Sequence, residues 1–79
     1  MITLKIITPM ESVTVENVSK VSLPGAAGPF VVLPGHAALV STLTAGEVRY
    51  SAADGGHSRP VVRGAVKVEA DTVTVCIER

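Results

Sequence analysis

The chain has 79 residues, with seven lysines and arginines balanced by seven aspartates and glutamates, and a single cysteine, Cys76. That length holds one small core, the even charge excludes the basic footprint that nucleic acid or an anionic membrane requires, and a lone thiol excludes an internal disulfide or a multi-cysteine zinc site. A core of this size supplies no more than ~3–5 kcal/mol by itself, so docking onto a partner is the expected staple.

The opening MITLKIITPM lacks the basic, apolar and small-residue regions of a secretory leader and reads as structure. Ile2, Leu4 and Ile6 alternate with Thr3 and Lys5 as a strand with one wet face, ended by Thr8-Pro9. Val13 and Val15 keep one phase, Val18 falls on the other, and Val21 and Leu23 restore it. This predicts one long, bent strand with a bulge near Glu16-Asn17-Val18. After Leu23-Pro24-Gly25 and a turn at Gly28-Pro29, Phe30 to Leu33 reads as a short strand stopped by Pro34-Gly35. Leu39 to Leu43 follows, then a turn at Ala45-Gly46 and an alternating strand, Glu47 to Ser51.

Asp54-Gly55-Gly56 marks a hairpin, with Ser58 to Arg63 expected to pair back on Glu47 to Ala52. Gly64-Ala65 suggests a further bend, and Ala70-Asp71 the turn into a strand whose Val73, Val75 and Ile77 share one face. No segment keeps a helical repeat, and Pro24, Gly25, Gly28, Pro29, Pro34 and Gly35 break up the apolar middle before it reaches the ~18 residues that span a bilayer. The expected fold is all-β: a flattened sandwich or barrel of about ten short, mostly antiparallel strands. It forms one domain over residues 1–79, soluble by itself and with an aliphatic core.

Chemistry-bearing residues are sparse. His57 and Ser58 are adjacent, but neighbours on a strand face opposite ways, so a hydrolase built on them is a poor reading beside a solvated loop histidine. The carboxylates Glu11, Glu16, Glu47, Asp54, Glu69, Asp71 and Glu78 fall at strand ends, turns or wet faces and read as solubilising charge. Two histidines and one thiol at wide spacing make no metal site, and Gly25 and Gly28 lack the helix start and lysine of a phosphate cradle, so no cofactor is expected. Cys76 reads as a small thiol buried or half-buried in its strand.

From Val21 to Gly46 there is no charged residue, and His36 is the one titratable side chain between Gly28 and Gly46. Such a stretch spares a docked surface the cost of desolvating charges; His36 then either braces its loop by bonding the backbone or belongs to that surface. An apolar ligand held between the sheets, or in a groove along Gly28 to Gly46, is the competing reading.

The run FVVLPGHAALVSTLTAGEVR resembles the signature of the epsilon subunit of F-type ATP synthases. The strand into Leu23-Pro24-Gly25, the Gly28-Pro29-Phe30 turn, Arg49 and Val73-Thr74-Val75 also fall at that family's spacings. The resemblance implies a ten-stranded β-sandwich at the foot of the central rotor stalk, peripheral to the cytoplasmic face of the inner membrane. It would be non-catalytic and without cofactor, and would join the gamma subunit to the ring of c subunits. By position it implies that Gly25, Ala26, Ala27, Gly28, Pro29 and His36 face the c-ring, and that Thr8, Val40, Ser41 and Thr42 face gamma.

The chain departs from the family pattern in places. Pro29 stands where many relatives are acidic, Ala38 where proline is common, and Gly64-Ala65 where a glycine pair is usual, with the following hairpin one residue short. The sequence ends at Arg79, where most bacterial relatives continue into a C-terminal helical hairpin that restrains ATP hydrolysis; the regulatory roles of that hairpin are not expected of this sequence.

Overall fold

The computed structural model describes residues 1–78, which form nine strands and no helix: β1 (Ile2–Ile7), β2 (Ser12–Val18), β3 (Lys20–Leu23), β4 (Phe30–Val32), β5 (Leu39–Leu43), β6 (Gly46–Ala52), β7 (Gly55–Val61), β8 (Arg63–Glu69) and β9 (Thr72–Glu78). One sheet has the order β2-β1-β9-β8-β5 and the other β4-β3-β6-β7. Every pairing is antiparallel except that of β1 with β9. The all-β architecture is as expected, with nine strands where the family resemblance implied ten.

The period-two alternation has its physical basis in burial. Ile2, Leu4, Ile6, Val66, Val68, Val73 and Val75 of the first sheet meet Val21, Leu23, Val32 and Val48 of the second in one aliphatic cluster, and each is at most 1% exposed. Phe30 and Tyr50 pack against its margin. β-branched side chains suit these pleated, close-packed faces, and truncating a buried Ile or Leu of this cluster to alanine costs about 2–5 kcal/mol.

The expected bulge is present. Ile2 pairs with Val18 and Leu4 with Val15, so Glu16 and Asn17 together oppose Thr3, and Asn17 takes a left-handed φ of 59°. The strand expected to run on to Leu23 is instead divided at Ser19: β2 belongs to one sheet and β3 to the other. The bulge adds twist just before the crossing, where Ser19 donates both its N–H (2.9 Å) and its hydroxyl (3.2 Å) to the carbonyl of Ser51.

Two further expectations need correction. The β6–β7 hairpin turns at Ala53-Asp54, so Ala52 pairs with Gly55 and Gly46 with Val61, three residues out of the expected register. Gly64 and Ala65 form no bend; both lie inside β8, and the chain bends at Val62 instead. Glycine is required at 64 because a Cβ there would collide with the backbone carbonyl of Cys76. Cys76 is exposed, not buried: it has the outward phase of β9, opposite Val75 and Ile77.

Candidate docking surface

The uncharged stretch from Val21 to Gly46 supplies β4 and β5, the outermost strands of their sheets on the sides away from β7 and β2. Its turns are tightly bonded to the scaffold. Gly25 bridges Leu43, Ala26 donates its N–H to the Thr42 carbonyl (3.0 Å), Thr44 donates to the Pro24 carbonyl (2.9 Å), and Gly28 closes the turn onto Gly25 (3.0 Å). Gly25 is buried, and a Cβ there would lie 2.6 Å from the Gly28 carbonyl oxygen and 2.9 Å from the Phe30 ring. Ala26, Ala27, Gly28 and Pro29 are exposed on this braced turn.

His36 follows Gly35, whose φ of 82° suits glycine. The N–H of His36 donates to the Leu33 carbonyl (3.1 Å), and its Nδ1–H donates to the Ala37 carbonyl (2.7 Å). The ring thus braces its own loop, one of the two roles open to it. Leu33 is 52% exposed, and Ala37 and Ala38 beside it are exposed as well.

The residues expected to face the c-ring do not form one cluster. The Gly25 turn lies at the Leu43 end of β5, whereas the His36 loop leads into Leu39, whose partner Val68 runs toward the Ala70-Asp71 turn. The two segments occupy opposite ends of β5.

The residues expected to face gamma are also spread out, since β9 and β8 separate β1 from β5. Thr8 is taken up by a local turn: its Oγ accepts the N–H groups of Glu11 (3.0 Å) and Met10 (3.3 Å) and donates to the Glu11 carbonyl (3.2 Å). Val40, 76% exposed, and Thr42 share the outward face of β5, while Ser41 is half-buried in the opposite phase. On that outward face the register lines up Thr42, Ala65, Cys76, Ile7 and Ser12 as an uncharged row, bordered by the Arg63–Glu78 ion pair at 2.9 Å.

His57 lies on β7, not in a loop. Its ring stacks on Tyr50 (centroids 5.1 Å apart) and its Nε2 bonds Asp54 Oδ1 at 2.9 Å, not Ser58. That hydrogen bond, reinforced by the charge of His57, holds the Asp54 carboxyl below the usual carboxylate range.

Two acids read as solubilising charge prove to be tethers. Glu11 binds Arg59 at 2.6 Å, tying the β1–β2 connection to β7, and Asp71 accepts the N–H of Gly35 at 2.8 Å. No local pattern announces either contact, because the partners are brought together only by the crossing of the chain between sheets.

Comparison with known proteins gives this surface a family. A sequence model described as "ATP synthase, Delta/Epsilon chain, beta-sandwich domain" matches residues 1–79. The ATP synthase epsilon chain of Wolinella succinogenes is 45% identical over 73 residues, 91% of this chain and 56% of the relative. That of Citrifermentans bemidjiense is 39% identical over 74 residues, 94% of this chain and 54% of the relative. The chain thus spans about half the length of the curated relatives it matches.

Among solved structures, a chain of the Euglena gracilis mitochondrial ATP synthase (OSCP/F1/c-ring) superposes with a TM-score of 0.86 at 20% identity, covering 96% of this chain and 49% of that one. A chain of the Tetrahymena thermophila mitochondrial ATP synthase central stalk/c-ring superposes with a TM-score of 0.82 at 14% identity, covering 99% and 63%. At these identities the likeness establishes the fold. By sequence match over its whole length and by its two-sheet architecture, the chain belongs to the delta/epsilon family of ATP synthase subunits, as their β-sandwich domain.

Proposed function

We propose that this domain is a non-catalytic part of the rotor, fixing the gamma subunit to the c-ring so that ion flow through the membrane sector drives ATP synthesis. It works peripherally, on the cytoplasmic face of the membrane. The observation that carries this reading is the uncharged flank: residues 21–46 expose Val31 on β4, Val40 on β5, and Leu33, alanines and prolines on connecting segments hydrogen-bonded to the scaffold. A surface of this kind docks without desolvating charge and with little loss of conformational freedom. In this reading the Gly25–Pro29 turn and the His36 loop make two separate contacts with the ring, one at each end of β5. The row from Thr42 to Ser12 is offered to gamma.

The apolar-ligand alternative draws no support from the interior, which is filled with aliphatic side chains. A surface hollow of about 520 Å³ runs over the second sheet and is lined by polar groups such as Lys20, Ser22, Arg49, Ser51 and Ser58.

Replacing Ala27 by glutamate tests the proposal. The expected outcome is an unchanged folding midpoint, because Ala27 is exposed, together with loss of proton- or sodium-coupled ATP synthesis in reconstituted membrane vesicles. Undiminished coupling would reject this turn as a ring contact, and failure of the unmodified chain to bind gamma at micromolar concentration would reject the rotor role.

A further inference from the structure

We infer that Asp71 is the positioning residue of the His36 loop, acting as a latch that holds Pro34-Gly35-His36 in place for docking; the docking part of this inference rests on the function proposed above. Residues 33–38 have no regular secondary structure and join the outermost strands of the two sheets. Two of their hydrogen bonds are internal, His36 N–H to the Leu33 carbonyl and His36 Nδ1–H to the Ala37 carbonyl. Among the described residues, the side-chain and loop hydrogen bonds include one that carries this loop to another element. It is the Gly35 N–H donating to Asp71 Oδ1 at 2.8 Å, across 36 positions of sequence.

The acceptor is fixed from both sides. Asp71 is half-buried in the tight β8–β9 turn, with a left-handed φ of 58°, and its backbone carbonyl accepts the N–H of Thr3 at 2.9 Å. The turn is therefore pinned to β1 while its carboxylate reaches the loop. The donor is prepared as well, because Gly35 turns its N–H outward at φ 82° in a conformation other residues resist. A carboxylate accepting a backbone N–H forms a charge-assisted bond of the stronger kind. Without it, Leu33, His36, Ala37 and Ala38 would hang on a loop bonded mainly to itself, and a partner would have to order them on binding.

The left-handed turn makes a clean test possible. Asp71→Gly keeps the turn geometry and deletes the acceptor, whereas Asp71→Asn keeps both the left-handed preference and a side-chain oxygen. Amide exchange of the isolated chain is expected to show Gly35 exchanging about fivefold faster or more in Asp71→Gly and close to the parent rate in Asp71→Asn, with the core strands still protected. Equal Gly35 rates in the parent and Asp71→Gly would overturn the latch.

Binding to a detergent-solubilised c-ring carrying gamma gives the second arm. Asp71→Gly should bind several-fold more weakly and Asp71→Asn should recover. If the parent binds and Asp71→Gly binds equally well, the positioning role is rejected; if the parent itself does not bind, the docking function is rejected.

Discussion

The dipeptide Ala-Asp turns this chain twice, at Ala53-Asp54 between β6 and β7 and at Ala70-Asp71 between β8 and β9, and the two turns are built differently. At the first, the following residue is Gly55, which takes the left-handed angle itself at φ 121°. At the second, the following residue is Thr72, whose branched side chain starts a strand, so Ala70 and Asp71 adopt left-handed angles of 49° and 58°. The carboxylates also diverge. Asp54 serves its own hairpin through His57, while Asp71 serves a loop far away in sequence. One neighbouring residue decides whether the same pair makes a relaxed local turn or a strained one whose acid is used elsewhere.

The comparison breaks most visibly at the acids. Asp71→Val places a β-branched residue at a left-handed angle and removes the Gly35 acceptor, and should lower stability by about 2–3 kcal/mol in urea denaturation. Asp54→Val, at an exposed position without a left-handed angle, should lose far less; comparable losses would erase the distinction. A smaller effect should appear at the alanines, with opposite signs. Ala70→Gly relieves a left-handed alanine and should raise stability by about 0.5–1 kcal/mol, whereas Ala53→Gly only loosens the unfolded chain and should lower it by about 0.4–1 kcal/mol. Thermal midpoints moving in the same direction would count against the strain assigned to the second turn.

The smallest effect concerns pH. His57 holds the Asp54 carboxyl below its ordinary value, so the stability this pair contributes is in place above that value. It is lost as pH falls from about 4 toward the lower folded-state value. Asp54 is 74% exposed, so the acid-side loss should be slight, weaker in high salt, and absent from Asp54→Asn. An acid limb unchanged in that variant at low salt would show that the pair contributes nothing.

Much of the fold can be read from residue order because burial imposes it. Alternation in β1 and β9, the extent of β5, the parity slip that marks the Asn17 bulge and the Ala70-Asp71 turn all follow from which side chains must leave water. The division at Ser19 does not, since nothing in residues 12–23 prevents one continuous strand. Gly55-Gly56 suggested the centre of a turn, but one positive φ was needed, and the turn itself fell on Ala53-Asp54. Gly64 looked like a hinge, yet it is small to let the Cys76 carbonyl approach. For Cys76 residue type points inward, but its parity with Thr72 and Thr74 points outward, and parity decides.

The docking surface was legible as a composition, an uncharged run, and as a family resemblance. Its division between the two ends of β5 comes from sheet order, which no local pattern encodes.

β1 and β9 lie side by side in parallel, from Thr3 beside Thr72 to Ile7 beside Cys76, in the interior of the five-stranded sheet. During synthesis this imposes a waiting time. The β1–β2 hairpin can form early, but a two-stranded ribbon is marginal in water and leaves Leu4 and Ile6 without the Val73 and Val75 neighbours that cover them. Closing a loop that spans nearly the whole chain is entropically costly and slow compared with the local hairpins. The local β8–β9 hairpin must therefore bring β9 against β1 to complete the sheet, and until that contact forms β1 keeps one edge unpaired.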